Sequence, residues 1–378
     1  MELKQKISQE FENRFGGHGS LYASAGRINL IGEHTDYNGG FVFPGAIDKV
    51  IMLEIRPNDG DRIRVFSIDL GEYVEFGFKE EDAPVQSWAR YIFGVCRETI
   101  KRGGIVKGFD AVFAGNIPLG AGLSSSAALE SCFAFALNEL FNNGRIDKFE
   151  LARIGQSTEH NYCGVNCGIM DQFASVFGKK DNLIRLDCRS MEYEYFPFYP
   201  EGYTLVLLDS AVKHELADSP YNKRRESCER VAKRLGIETL RDASKEMLEA
   251  VRNEISEEDY KRAKFVIEEK DRVLKVCDAL MAGDYETVGR CMYETHNGLS
   301  KDYEVSCEEL DFLNDIAREC GVTCSRIMVG GFGGCTINLV KYELLDNFVE
   351  TSKKLFKTKY GHEPKVYEVI ISDGAHKL

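Results

Sequence analysis

The segment Asn116–Glu130, NIPLGAGLSSSAALE, constrains this chain more than any other. It follows an apolar run, Phe109–Ala114, that reads as a strand, and it opens a run over Ser124–Phe141 with helical spacing. Gly120 and Gly122 let the backbone approach a ligand without interference from a Cβ. Ser124, Ser125 and Ser126 then fall in the first helical turn, where backbone N–H groups lack intrahelical partners and the dipole is positive. That is an anion site, and a polyphosphate suits it. One hydroxyl suffices to cap a helix, so three leave hydroxyls to spare, and a spare hydroxyl can bind Mg²⁺, a hard cation that prefers oxygen. The alternative is a capped helix after a glycine-rich turn. No Lys-Ser/Thr pair follows the glycines, which excludes a Walker A loop, and the glycine spacing does not match a Rossmann fingerprint.

Three further segments carry polar residues in unusual settings. Gly26–Gly40, GRINLIGEHTDYNGG, crowds Arg27, Glu33, His34 and Asp36 onto a turn between strands. Sugar hydroxyls both donate and accept, so carboxylate and imidazole groups suit them; an exposed hairpin loop is the plain alternative. Glu159–Phe173, EHNYCGVNCGIMDQF, embeds Asp171 among Ile169, Met170, Phe173 and Ala174. A carboxylate there needs a partner, unless it caps the helix that starts at that point. Val329–Thr336, VGGFGGCT, holds four glycines between two apolar strands, more than a plain hairpin requires.

The remaining pattern is mixed. Strands are expected at Leu21–Ala25, Val50–Arg56, Arg62–Ile68, Tyr73–Phe78, Leu183–Leu186 and Tyr203–Leu208, with helices over Trp88–Arg102 and Lys148–Tyr162. The later part is more helical, over Tyr221–Leu235, Glu257–Met281, Tyr285–Leu299 and Glu308–Cys320. It ends strand–strand–helix–strand, an α+β unit with antiparallel pairing. A length of 378 residues allows two or three domains. A boundary near Pro200 divides the chain into 1–200 and 201–378. The net charge of −13 disfavours a nucleic-acid partner. No apolar run approaches a membrane span, and the N-terminus reads as an amphipathic helix, so a cytoplasmic protein is expected. Twelve cysteines are too few for a disulfide framework, and neither Cys163/Cys167 nor Cys320/Cys324 has zinc-ligand spacing.

With these segments in hand, the sequence resembles the GHMP kinase superfamily and, within it, the galactokinases. Gly26–Gly40 resembles the galactokinase signature, Pro118–Ala128 the shared ATP-phosphate loop, and Val329–Thr336 the third glycine motif. The resemblance implies a two-domain α+β fold, ribosomal-protein-S5-domain-2-like at the N-terminus and ferredoxin-like at the C-terminus, with the active site between them. It implies a monomeric enzyme that phosphorylates the C1 hydroxyl of D-galactose with ATP and Mg²⁺. Carried over residue by residue, Arg27 and Asp171 resemble the catalytic pair. Glu33, His34, Asp36, Gly168, Asp171 and Tyr221 resemble the sugar-binding set, with Glu33, Asp36 and Tyr221 the candidates for reading the axial 4-hydroxyl. Gly120, Ala121, Gly122, Leu123, Ser124, Ser125 and Ser126 match the phosphate loop, Ser126 and Glu159 the Mg²⁺ ligands, and Trp88 the adenine pocket. Trp88 reads equally well as core packing.

Two questions stay open at this level. A neighbouring guanidinium weakens a carboxylate as a base, so Asp171 either takes the hydroxyl proton late or orients the sugar while the phosphate takes it. Two positions also depart from the family pattern. Ala25 stands where Pro is usual. Val329 stands where Gly is usual, and a β-branched residue forced to positive φ costs about 1–3 kcal/mol. A kinase for N-acetylgalactosamine or arabinose and a non-catalytic galactose/ATP sensor are the alternatives.

Overall fold

The computed structural model describes residues 2–118, 120–212, 220–328 and 333–378. Val329, and with it the question of its backbone angle, lies outside the described residues.

Helix α1 (Leu3–Phe15) leads into β1 (Ser20–Asn29), β2 (Phe41–Val42), β3 (Pro44–Pro57), β4 (Ile63–Ser67) and β5 (Glu72–Phe76). Then come α2 (Ser87–Lys101), β6 (Phe109–Gly115), α3 (Ser125–Asn142), α4 (Lys148–Thr158), a π-helical turn (Glu159–Cys163), α5 (Met170–Phe177), β7 (Asn182–Asp187) and β8 (Tyr193–Pro197). The second half runs β9 (Tyr203–Asp209), α6 (Pro220–Leu235), α7 (Lys245–Ala250), α8 (Glu257–Met281), α9 (Tyr285–Lys301), α10 (Glu308–Glu319), β10 (Cys324–Ile327), β11 (Cys335–Lys341), α11 (Tyr342–Tyr360) and β12 (Lys365–Val369).

Among the described residues the largest sheet has six strands, with β1, β3, β6, β4 and β5 in that order and a short strand at His376–Lys377 on the far side of β1. Its pairs are antiparallel except β4 with β6. Helix α3 is buried along most of its length, and its small residues Ala127, Ala128, Ser131, Ala134 and Ala136 permit that depth. The second sheet, β10-β11-β9-β12, is wholly antiparallel. β9 explains why Tyr203–Leu208 reads as a continuous apolar run. Leu205 and Leu207 join the central core, whereas Val206 and Leu208 pack with Leu313, Ile316 and Phe348 on the other face. A strand covered on both faces needs apolar residues at every position.

Three departures from the sequence expectations bear on function. β1 does not stop at Ala25 but runs to Asn29, with a register shift between Ala25 and Arg27. A glycine followed by an arginine ends the apolar alternation in sequence, yet here the arginine is fully buried and paired. α4 does not continue to Tyr162: it gives way at Glu159 to a single π turn that ends at Gly164, whose φ is +73°. Such turns often mark functional sites. β8 departs from the sequence reading because three of its five residues are exposed, without alternation, and a single one, Phe196, is buried. Ala25 is fully buried, and its carbonyl accepts a hydrogen bond from Ser175 Oγ at 2.8 Å.

Candidate active site

The bulge in β1 places the central charge pair. A Cβ at Gly26 would lie 2.7 Å from the carbonyl oxygen of Leu123, so only glycine lets the phosphate-type loop lie against β1 here. The next residue, Arg27, donates its backbone N–H to that same carbonyl at 3.1 Å. Its guanidinium then forks onto Asp171: Nε to Oδ1 and Nη2 to Oδ2, both at 2.8 Å. Nη1 donates to Gly122 O at 2.6 Å. Arg27 is fully buried, whereas the Asp171 side chain keeps 29% exposure. One end of the pair is therefore locked in the protein and the other faces a cavity. Asp171 sits in the first turn of α5, but no side chain caps that helix; the carboxylate is held by Arg27 instead.

The loop before α3 is strained where it meets this pair. Gly120 and Gly122 have φ of +78° and +75°, and Ser124 takes φ +54°. Ser124 occupies the N-cap position of α3 without capping it. Its hydroxyl donates to Asp171 Oδ2. The first turn of α3 is thus left with no side-chain cap and no acidic residue, as an anion site requires. The loop also touches the C-terminal glycine segment, since a Cβ at Gly334 would lie 3.3 Å from the Ala121 backbone.

Glu159 is buried beside this helix start. Burial pushes its carboxyl up to about 7, against a hydrogen bond from Ser126, with the Asp171 charge adding to the rise. A buried carboxylate joined to a hydroxyl, both oxygen donors, fits a hard cation that takes one or two protein ligands and completes its shell with phosphates.

The Gly26–Gly40 segment is not an exposed hairpin. Glu33 and His34 are buried. Glu33 accepts hydrogen bonds from Asn29 Nδ2 at 3.1 Å and Arg326 Nη2 at 2.9 Å. Arg326, on β10, is fully buried and also donates to the carbonyls of Asn29, Leu30 and Ile327. Glu269, on α8, accepts from the N–H groups of Gly32 at 2.8 Å and Glu33 at 3.2 Å. Sequence reading missed Arg326 and Glu269. Neither lies in a glycine motif, and an arginine within a short apolar strand and a glutamate on a charged helix carry no local sign of burial. His34 adopts φ +59°. Burial, with the Arg224 charge, lowers its imidazole to about 3. Asp36 lies half-buried, and burial with the charge of Asp171 pushes its carboxyl up to about 7. A Cβ on Gly168 would collide with that carboxyl group.

These residues surround one cavity of ≈ 580 Å³. Arg27, Glu33, His34, Asp36, Gly120, Gly122, Leu123, Ser124, Ser125, Ser126, Glu159, Gly168, Asp171 and Tyr221 all line it. Ala121 does not; it is fully buried beneath the loop. A second cavity of ≈ 410 Å³, with Ile51, Leu70, Trp88, Phe113 and Leu129 on its walls, shares Ser87, Tyr91, Ser125 and Ser126 with the first. Trp88 combines a packing contact with a place on the wall of this second cavity. Its ring lies 5.5 Å from that of Phe113, it donates to Glu72 Oε2 at 2.6 Å, and it still lines the cavity.

Three family models match the chain: "Galactokinase galactose-binding signature" over residues 9–57, "GHMP kinases N terminal domain" over 90–179 and "GHMP kinases C terminal" over 277–351. A galactokinase from Thermotoga petrophila is 44% identical over 93% of this chain and 98% of its own length. One from Clostridium acetobutylicum is 40% identical, with both chains covered completely. Among solved structures, Lactococcus lactis galactokinase complexed with galactose superposes with a TM-score of 0.95, at 33% identity and with 100% of both chains covered. Methanococcus jannaschii mevalonate kinase, at 18% identity and a TM-score of 0.67, shares the fold. Similarity of this extent, running through both halves of the molecule and through its motif segments, places the chain in the galactokinase family of GHMP kinases.

Proposed function

We propose that this enzyme transfers the γ-phosphoryl group of ATP to the C1 hydroxyl of D-galactose, giving galactose 1-phosphate and ADP. The observation that carries the reading is the Arg27–Asp171 fork, held between the sugar-signature residues and the start of α3. The C1 oxygen forms a bond to the γ-phosphorus, the bond from that phosphorus to the β–γ bridging oxygen breaks, and the hydroxyl proton passes to Asp171. Hydrogen bonding selects the accepting atom. Oδ2 already accepts from Arg27 and Ser124, whereas among the described residues Oδ1 accepts only from Arg27. A carboxylate oxygen offers two lone-pair sites, so Oδ1 has one left for the sugar. Arg27 holds the carboxylate and places positive charge beside the transferring group, where positioning and charge stabilisation supply most of the catalysis.

Glu33, His34, Asp36, Gly168 and Tyr221 are assigned to the sugar. The start of α3 and Gly120–Ser126 are assigned to the phosphates, and the cavity beside Trp88 to adenine. Ser126 and Glu159 would hold Mg²⁺, which when bound neutralises charge on the β- and γ-phosphates. We assign residues 1–200 and 201–378 to the two domains of a cytoplasmic monomer.

The direct test is ADP release with Mg-ATP and a panel of sugars. Galactose is expected to exceed glucose in kcat/KM by about 10²-fold or more, because a site that hydrogen-bonds the axial 4-hydroxyl leaves buried groups unpaired without it. No galactose-dependent release, or a preference for N-acetylgalactosamine or arabinose, would overturn the reading. Gly168→Ala should raise the galactose KM by about 10-fold or more with little change in the ATP KM, since its methyl displaces Asp36. Glu159→Gln should raise the Mg²⁺ concentration needed for half-maximal rate by about 10-fold, leaving galactose binding, measured calorimetrically without nucleotide, unchanged.

A further inference from the structure

The walls of the sugar site leave one ring nitrogen unexplained. His34 is 4% exposed, and its Nε2 has no hydrogen-bond partner among the described residues. Its other nitrogen begins a chain of contacts that leaves the cavity. Nδ1 lies 2.8 Å from the Tyr37 hydroxyl, which lies 2.8 Å from the Tyr303 hydroxyl. Tyr303 lies in turn 3.3 Å from Cys228 Sγ. Neither Tyr37 nor Tyr303 lines the cavity. Tyr303 is fully buried and belongs to the segment after α9, so the chain ties the signature loop to the C-terminal half.

Two proton arrangements are self-consistent. In one, every proton points toward the histidine: Tyr303 O–H donates to Tyr37, and Tyr37 O–H donates to Nδ1. In the other, every proton points away: Nδ1–H donates to Tyr37, Tyr37 to Tyr303, and Tyr303 to the sulfur. Acceptor strength decides between them. An imidazole nitrogen accepts more strongly than a phenol oxygen, and a thiol sulfur accepts weakly. The outward arrangement leaves the best acceptor unused inside the chain and spends a phenol proton on the sulfur. The inward arrangement gives every proton the stronger acceptor available to it. The imidazole is neutral at ordinary pH, because burial and the Arg224 charge oppose a second proton. A neutral ring that accepts at Nδ1 carries its proton on Nε2.

We propose that Tyr37, backed by Tyr303, is a positioning residue for sugar recognition: the pair holds His34 as the Nε2–H tautomer, so that His34 presents a donor, and not an acceptor, to a ligand oxygen. This rests on the galactose reading above. It deepens that reading by assigning the site a neutral donor beside the acceptor Glu33. A hydroxyl that donates to a carboxylate can then accept from His34.

The test is nitrogen NMR of the full-length protein labelled at histidine, with and without galactose, the His34 signals being assigned by their loss in His34→Gln. The expected spectrum has His34 Nδ1 unprotonated and Nε2 protonated in the unliganded protein. Tyr37→Phe should mix the two tautomer signals and raise the galactose KM by about 5- to 10-fold, the effect of losing one buried hydrogen bond, without moving the ATP KM. Tyr303→Phe should raise the galactose KM by about 2- to 3-fold, because it strips a donor only from the Tyr37 oxygen. A protonated Nδ1 in the wild-type protein overturns the proposal. So does a Tyr37→Phe protein that folds and keeps its galactose KM and His34 signals. If Tyr37→Phe does not fold, the wild-type spectrum and Tyr303→Phe decide. The spectrum is read without sugar, so a wild type that turns over no galactose would sink the functional reading and leave the tautomer assignment measurable on its own.

Discussion

Asp171→Asn is expected to lower kcat for galactose by about 10²–10⁴-fold, the range for removing a positioned general base. The amide keeps the shape of the carboxylate but alters the chemistry at both oxygens. One becomes an NH₂ group, which donates and therefore opposes either Arg27 or the sugar hydroxyl. The charge that Arg27 Nε and Nη2 share between Oδ1 and Oδ2 is lost as well. The galactose KM should change by only about 3-fold, because Glu33, His34 and Asp36 remain in place and binding energy is distributed among them. Steady-state kinetics with a coupled ADP assay measure both constants. A turnover within a few fold of wild type would remove Asp171 as the base and favour proton transfer to the phosphate.

The second large effect is on stability. Arg326→Leu is expected to lower the free energy of unfolding by about 3–5 kcal/mol, as when one member of a buried ion pair is removed. The residue is fully buried and donates to the Glu33 carboxylate and to three backbone carbonyls. Without it, Glu33 retains only Asn29 among its side-chain donors in the described residues, and its buried charge loses its counter-ion. Combining Arg326→Leu with Glu33→Gln should recover at least about 1 kcal/mol, since the unpaired charge is then gone. Urea denaturation of the single and double variants makes the comparison. Equal losses in the single and double variants would show that Arg326 acts only through the carbonyls.

The four glycine-bearing segments could be found in the chain before any coordinates, because each breaks a rule that ordinary packing obeys. Three hydroxyls crowd one helix start, a carboxylate stands in apolar company, and acid, base and imidazole share a turn. Most strands and helices were legible for the same kind of reason: burial on one face leaves a period in the residues. Where that period failed, the expectations stopped short. β1 was cut at Ala25 because a glycine and an arginine interrupt it, yet the interruption is the bulge that lets Leu123 approach and sets Arg27 beneath Asp171. The π turn at Glu159 was invisible too, since no glycine or proline interrupts Glu159–Cys163 to mark the end of the helix before it.

The amino-acid order determined which chemical groups the protein has and the local backbone that carries them: the positive-φ glycines, the serines at a helix start, the histidine and carboxylates of the sugar signature. Tertiary structure alone decided which of them meet. Arg27 and Asp171 are separated by 144 positions, and Glu33 and Arg326 by 293. Nothing local records such pairings, because their energy comes from charges leaving water together, and that happens only when the two halves of the chain have packed. Arg326, Glu269 and Tyr303 look like any other charged or aromatic residues until the fold buries them, and burial is what turns each into support for the site.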